Sequence, residues 1–152
     1  MTRPALMRVR RLVVLCVAAA ALAIAAAALA ASNAPLLQTG KAKVKGQQKT
    51  VVVDSRGMTL YSLSDERVGN LKCLTKACFG FWPPYKVTAS QPLTKARNVK
   101  GTLGRLRRVK GGFYQLMLNG HPLYRFSGDR AKGQANGEGV RSYGGTWHVV
   151  SP

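Results

Sequence analysis

Acidic residues are what this chain most lacks: five stand against 24 lysines and arginines, a formal net charge of +19 over 152 residues. None of the five forms a carboxylate pair of the kind that glycoside hydrolysis uses. Histidine is equally scarce, with only His121 and His148. Ser127 and Asp129 lie close together but in no G-x-S-x-G elbow, so a Ser-His-Asp hydrolase has no support. No glycine-rich loop resembles a nucleotide cradle. The positive charge comes without a zinc finger, an RNP-type aromatic motif or a helix-turn-helix pattern, so nucleic acid is not the expected partner. No enzyme activity and no cofactor are expected.

Cysteine is confined to Cys16, Cys73 and Cys78, and long apolar runs to one, Leu12 to Ala31. Arg3, Arg8, Arg10 and Arg11 precede that run, which ends in the small-residue exit Ala28-Leu29-Ala30, the layout of a signal peptide. Its 20 residues would also span a bilayer as a helix at about 1.5 Å per residue, so residues 1–31 read as a signal peptide or a membrane anchor. Leu15 before Cys16 stands where a lipid-attachment site wants a small residue. Export leaves Cys73 and Cys78 as an even pair in a compartment where disulfides persist. Their separation closes a small loop and is wrong for a thioredoxin-like motif; two thiols are half a zinc site at most.

Removing the four N-terminal arginines leaves 20 basic residues against five acidic ones, a net charge of about +15. Such a field concentrates anions, and phosphate-rich envelope polymers or a membrane surface of anionic headgroups are its natural partners. The densest cluster, Arg105, Arg107, Arg108 and Lys110, alternates enough to be a strand with one basic, anion-binding face.

Residues 32–48 mix Asn, Pro, Gly, Lys and Gln without a repeating apolar face and read as a flexible linker, with the folded part beginning at Lys49. Val51 to Val53, a turn over Asp54 to Gly57 and Thr59 to Leu63 make a hairpin. Leu106 to Val109, Phe113 to Leu118 and Pro122 to Phe126 make a meander, its second turn at Asn119-Gly120. Trp147 to Val150 is a closing strand. The sole helical stretch is a short turn over Thr75 to Phe81, stopped by the prolines after Trp82. The fold class is all-β, a small antiparallel sheet domain over residues 49–152.

The segments Gly57-Met58-Thr59-Leu60-Tyr61 and Gly120-His121-Pro122-Leu123-Tyr124 align at an offset of 63 residues, and each is followed by a polar loop and then a tryptophan, Trp82 or Trp147. Two degenerate hairpin-loop-Trp repeats on one shared core account for this pattern.

Tyr124-Arg125-Phe126-Ser127-Gly128-Asp129 resembles the Yx(FWY)xxD motif of the secreted-repeat family of predicted bacterial lipoproteins. Asn119-Gly120-His121-Pro122-Leu123-Tyr124, the Gly/Asn-rich stretch 133–139, Trp147-His148-Val149-Val150 and Cys78 to Pro84 resemble other features of that family. The resemblance covers residues 49–152 and implies a secreted or surface domain without an assigned activity. The first unit departs from it: Leu63 replaces an aromatic and Glu66 stands in place of Asp.

The motif residues Tyr61, Trp82, Tyr124, Phe126, Asp129 and Trp147 form either the core or a ligand surface, since Tyr and Trp stack on sugars and cations. Asp129 and Glu66 are expected to accept loop amide hydrogens. His121, His148, Met58 and Met117 are candidate ligands of a soft copper site. The expected function is that of an exported envelope domain of binding or structural type, associating with anionic polymers or lipid headgroups. A redox or copper-handling accessory protein is the alternative.

Overall fold

The computed structural model describes residues 34–152. The signal or anchor expected over residues 1–31, with Cys16, lies outside them.

The first strands are β1, Leu37–Val44, and β2, Gln47–Asp54, an antiparallel hairpin whose register runs from Leu37 opposite Asp54 to Val44 opposite Gln47. Lys45 and Gly46 both take positive φ, +48° and +84°, as a two-residue hairpin turn that follows the twist of its strands requires. Most of the expected linker is therefore strand. Ala42 and Val44 face inward while Lys41 and Lys43 face solvent. Gly40 is needed because a Cβ there would meet Val53 Cγ1 at 2.9 Å.

The remaining strands are β3, Tyr61–Leu63; β4, Lys86–Val87; β5, Leu103–Arg108; β6, Phe113–Leu118; β7, His121–Pro122; β8, Arg141–Ser142; and β9, Gly145–Val149. They form a β3-β9-β8 sheet and a β4-β6-β5 sheet with β7 added to β6, and all the pairings are antiparallel. The expected meander is present, with its third strand cut to His121–Pro122: Leu123 N–H still donates to Leu116 O of β6, but the Leu123 carbonyl accepts from Tyr85 N–H and Tyr124 pairs with Tyr61. Among the described residues a single short α-helix, α1, spans Lys76–Phe81. Thr75 caps it by accepting the Cys78 amide hydrogen, and it ends at Trp82 before Pro83.

The two repeats complete one another. In the first, Leu60 N–H donates to Val52 O at 3.1 Å, Val52 N–H to Val150 O at 2.8 Å and Val150 N–H to Leu60 O at 2.9 Å. The second repeats the triangle with Leu123, Leu116 and Tyr85, at 3.0, 2.8 and 2.9 Å. Val150 stands three residues after Trp147, and Tyr85 three after Trp82. The segment that follows each tryptophan thus leaves its own unit and pairs with the hairpin of the other. Between the triangles Tyr61 and Tyr124 exchange two backbone hydrogen bonds, both 2.9 Å, about a local two-fold.

This crossing sets the core. Val52 and Leu60 of one unit pack with Leu116, Leu123 and Tyr85 of the other pairing, under Leu36, Leu37 and Val99. A second cluster joins Tyr61, Tyr124, Trp82, Trp147, Leu63 and both cysteines. A third, of Ala42, Val44, Val51, Val53 and Ala135, lies under the β1–β2 hairpin.

Candidate functional site

Trp82 and Trp147 stack at 3.9 Å with planes 5° apart, and Tyr61 and Tyr124 meet them edge-on, at 5.5 Å to Trp82 and 5.0 Å to Trp147. Each such pair adds about 0.5–1.5 kcal/mol beyond its buried area. The four rings are buried, so these motif residues are core and not an exposed ligand surface. Phe126 alone is partly open; its ring lies 4.5 Å from Trp82 and lines a cavity of ≈ 320 Å³ with Arg56, Met58 and Arg125.

The two motif carboxylates tie each unit to the other. Tyr61 Oη donates to Asp129 Oδ2 at 2.5 Å, while Asp129 Oδ1 accepts the Asn136 amide at 2.9 Å. Tyr124 Oη donates to Glu66 Oε2 at 2.9 Å, and Glu66 Oε1 accepts the amides of Lys72 and Cys73 at 2.9 and 3.0 Å. The loop-amide role expected of both acids holds, but each also receives the tyrosine hydroxyl of the opposite repeat. Burial, then the Asp129 hydrogen bond and charge, push the Tyr61 hydroxyl far above its ordinary range. Burial, then the Glu66 charge, do the same for Tyr124 against the opposing charge of Arg108.

Arg108 is the residue placed most differently from expectation. It is 4% exposed, bonding Gln115 Oε1 at 2.7 Å, the Cys73 carbonyl at 3.3 Å and the Tyr124 hydroxyl, 3.8 Å from Glu66. It belongs to the inward face of β5 with Leu106 and is not available to a surface anion. Arg105 is half-buried and held by the carbonyls of Thr88 and Gln91. Arg107 and Lys110 are exposed. Cys73 and Cys78 are joined as a disulfide, with Cα atoms 5.6 Å apart, closing a loop around the start of α1.

His121 Nδ1 lies 2.9 Å from the Glu66 carbonyl, and His148 Nδ1 lies 3.1 Å from Glu138 Oε1. Burial works against ionised Glu138, but the Val149 amide and His148 outweigh it and hold the carboxyl below its usual range. Met58 lines the cavity beside Phe126, and the Met117 methyl packs over Gly104. The four candidate copper ligands therefore have separate structural neighbours. Among the described residues no three His, Cys, Asp or Glu side chains gather as a metal site.

Residues 108–151 match the model of a family described as a secreted repeat of unknown function. This segment is similar to a secreted repeat. No curated protein and no solved structure matches the chain. The match runs from Arg108 to beyond β9 and supports export of the protein; the family description assigns no activity. The matched repeat is not a closed structural unit, since β6 takes β4 from upstream and β9 goes to β3.

Two features of the site escaped sequence reasoning. Asp54 accepts the amides of Arg56 and Met58 at 2.8 and 2.9 Å and the Arg125 guanidinium at 2.6 Å, tying the first hairpin to the matched segment. Its place at the head of a turn was the available signal. Leu71, Leu74, Phe79 and Val109 line a hollow of ≈ 220 Å³ on the surface. No local pattern unites them, because they come from a loop, a helix and a hairpin tip.

Proposed function

We propose that this exported domain is a binding or structural module of the cell envelope that holds anionic polymers or lipid headgroups non-covalently at its basic surface. The observation that carries the proposal is how the fold divides its charges. Asp54, Glu66 and Asp129 are buried and engaged with arginine or tyrosine, Glu138 is half-buried, and Asp65 alone among the five acids is exposed. Most lysines and arginines remain outside. The surface is therefore more one-sided than the composition, and surface cations with few local counter-charges attract polyanions over distances of about a Debye length. The proposal assigns the domain no reaction.

Binding of the full chain to a soluble polyphosphate, followed by fluorescence anisotropy across a salt series, tests this. Affinity is expected to fall by roughly tenfold or more between low and high salt as screening shortens to about 3 Å at 1 M. A neutral polysaccharide should not bind. Absence of polyphosphate binding at low salt, or binding indifferent to salt, would overturn the proposal.

A further inference from the structure

The basic surface is not uniform, because in one place it surrounds exposed apolar side chains. Val109, at the tip of the β5–β6 hairpin, is 83% exposed, and Leu74, in the disulfide-closed loop, is 52% exposed. Both line the same hollow, with Leu71 and Phe79 as partly covered walls. Phe79 meets Phe113 edge-on at 6.0 Å, which continues the apolar surface across β6. Single exposed apolar residues are ordinary; a contiguous group built from separate elements and held in place is not.

The group is held firmly from beneath. The disulfide pins both ends of the Leu74 loop, and Arg108 ties the Cys73 carbonyl to β5. At the tip, Val109–Gly111 forms a 3-10 turn closed by Gly112 at φ +62°. Gly111 is required because a Cβ there would meet the Phe113 ring at 2.4 Å. Around the apolar centre stand Arg107 and Lys110 on the rim of the hollow, and Lys86 with its Nζ 4.6 Å from the Phe113 ring centre. No carboxylate lines the hollow.

We infer that this face, the β5–β6 tip with the disulfide-closed loop, docks onto the surface of an anionic lipid bilayer. Val109 and Leu74 enter the boundary between headgroups and acyl chains, while Arg107, Lys110 and Lys86 extend to the lipid phosphates. Charge complementarity selects an anionic partner, and the apolar centre selects a bilayer over a dissolved polymer, which would gain nothing from Val109. The inference rests on the basic-surface proposal above and narrows it to one partner and one face.

Tryptophan placed at the tip reads docking directly, since Trp82 and Trp147 are buried and give a constant background. The full chain carrying Val109→Trp is mixed with phosphatidylglycerol vesicles whose acyl chains are brominated, with Gln47→Trp, at the β1–β2 turn, as the comparison. Strong quenching of the tryptophan at 109, with little change at 47 or in the parent protein, is the expected result. It is independent of any attachment through residues 12–31. Leu74→Asp with Val109→Asp should weaken vesicle partitioning by roughly tenfold or more, given the apolar area withdrawn, and leave polyphosphate binding intact. Vesicle binding without quenching at 109, or with no effect of the double substitution, overturns the docking face while leaving the basic-surface proposal in place. Loss of binding to vesicles and polyphosphate alike overturns both.

Discussion

At the scale of single residues the molecule is organised by where its hydroxyls and few carboxylates go. Tyr61 and Tyr124 each reach across the local two-fold to an acid, Asp129 or Glu66, and no buried side-chain nitrogen or oxygen among the described residues lacks a partner. Burial also raises the Tyr85 hydroxyl, whose proton goes to the Leu36 carbonyl at 2.9 Å. The folded state thus holds three phenolic protons more tightly than the unfolded chain does. The stabilisation is complete below the unfolded tyrosine value of about 10 and is lost as pH rises above it. In an alkaline titration of the five tyrosines, these three should ionise only together with loss of the fold. Simultaneous tyrosinate absorbance and far-ultraviolet circular dichroism measure this. Ionisation of all five before any structural change would show that the hydroxyls are not held as described.

At the scale of elements, the contrast between β1 and the strands recognised from sequence shows what local pattern conveys. Val51 to Val53, Phe113 to Leu118 and Trp147 to Val149 carry β-branched or aromatic residues and clear turn residues beside them, and each lies in a strand. In β1 the inward positions between Leu37 and Val44 are filled by small residues, Gly40 and Ala42, because Val53 and its neighbours occupy the space across the hairpin. A small residue opposite a large one leaves little hydrophobic signal of its own, and the lysines between them look like linker. Arg108 was misplaced for a related reason: its side of β5 is decided by Glu66, Gln115 and Tyr124, two of which are distant in sequence. The motif acids and the Cys73–Cys78 pair were legible because their spacing is local; the crossing of hydroxyls between repeats was not. Gly40→Val separates strand from linker. In a linker it would be neutral, whereas against Val53 it should cost about 1–3 kcal/mol by overpacking, read from urea denaturation. A change below a few tenths of a kcal/mol would mean that β1 is not seated as described.

At the scale of the whole molecule, the repeats are halves of one fold and not two folded beads. A repeat standing alone would leave β6 without β4 on one flank, or β3 without β9, exposing backbone donors and acceptors that must otherwise find partners. It would also leave one tryptophan of the stacked pair without the other and one tyrosine hydroxyl without its acid. Because all of these contacts run between segments on either side of the exposed Lys100-Gly101-Thr102 stretch, the backbone link there contributes little except proximity. A break between Lys100 and Gly101 should therefore yield two fragments that are unstructured separately and fold when mixed. The stacking of Trp82, from one fragment, on Trp147, from the other, supplies the measurement, since the coupled indole signal in near-ultraviolet circular dichroism can arise only in the complex. Recovery of that signal with a one-to-one stoichiometry is expected. A fragment from Gly101 onward that folds as a stable monomer would refute the exchange of strands, because it would have closed its sheet without β4 and without donating β9.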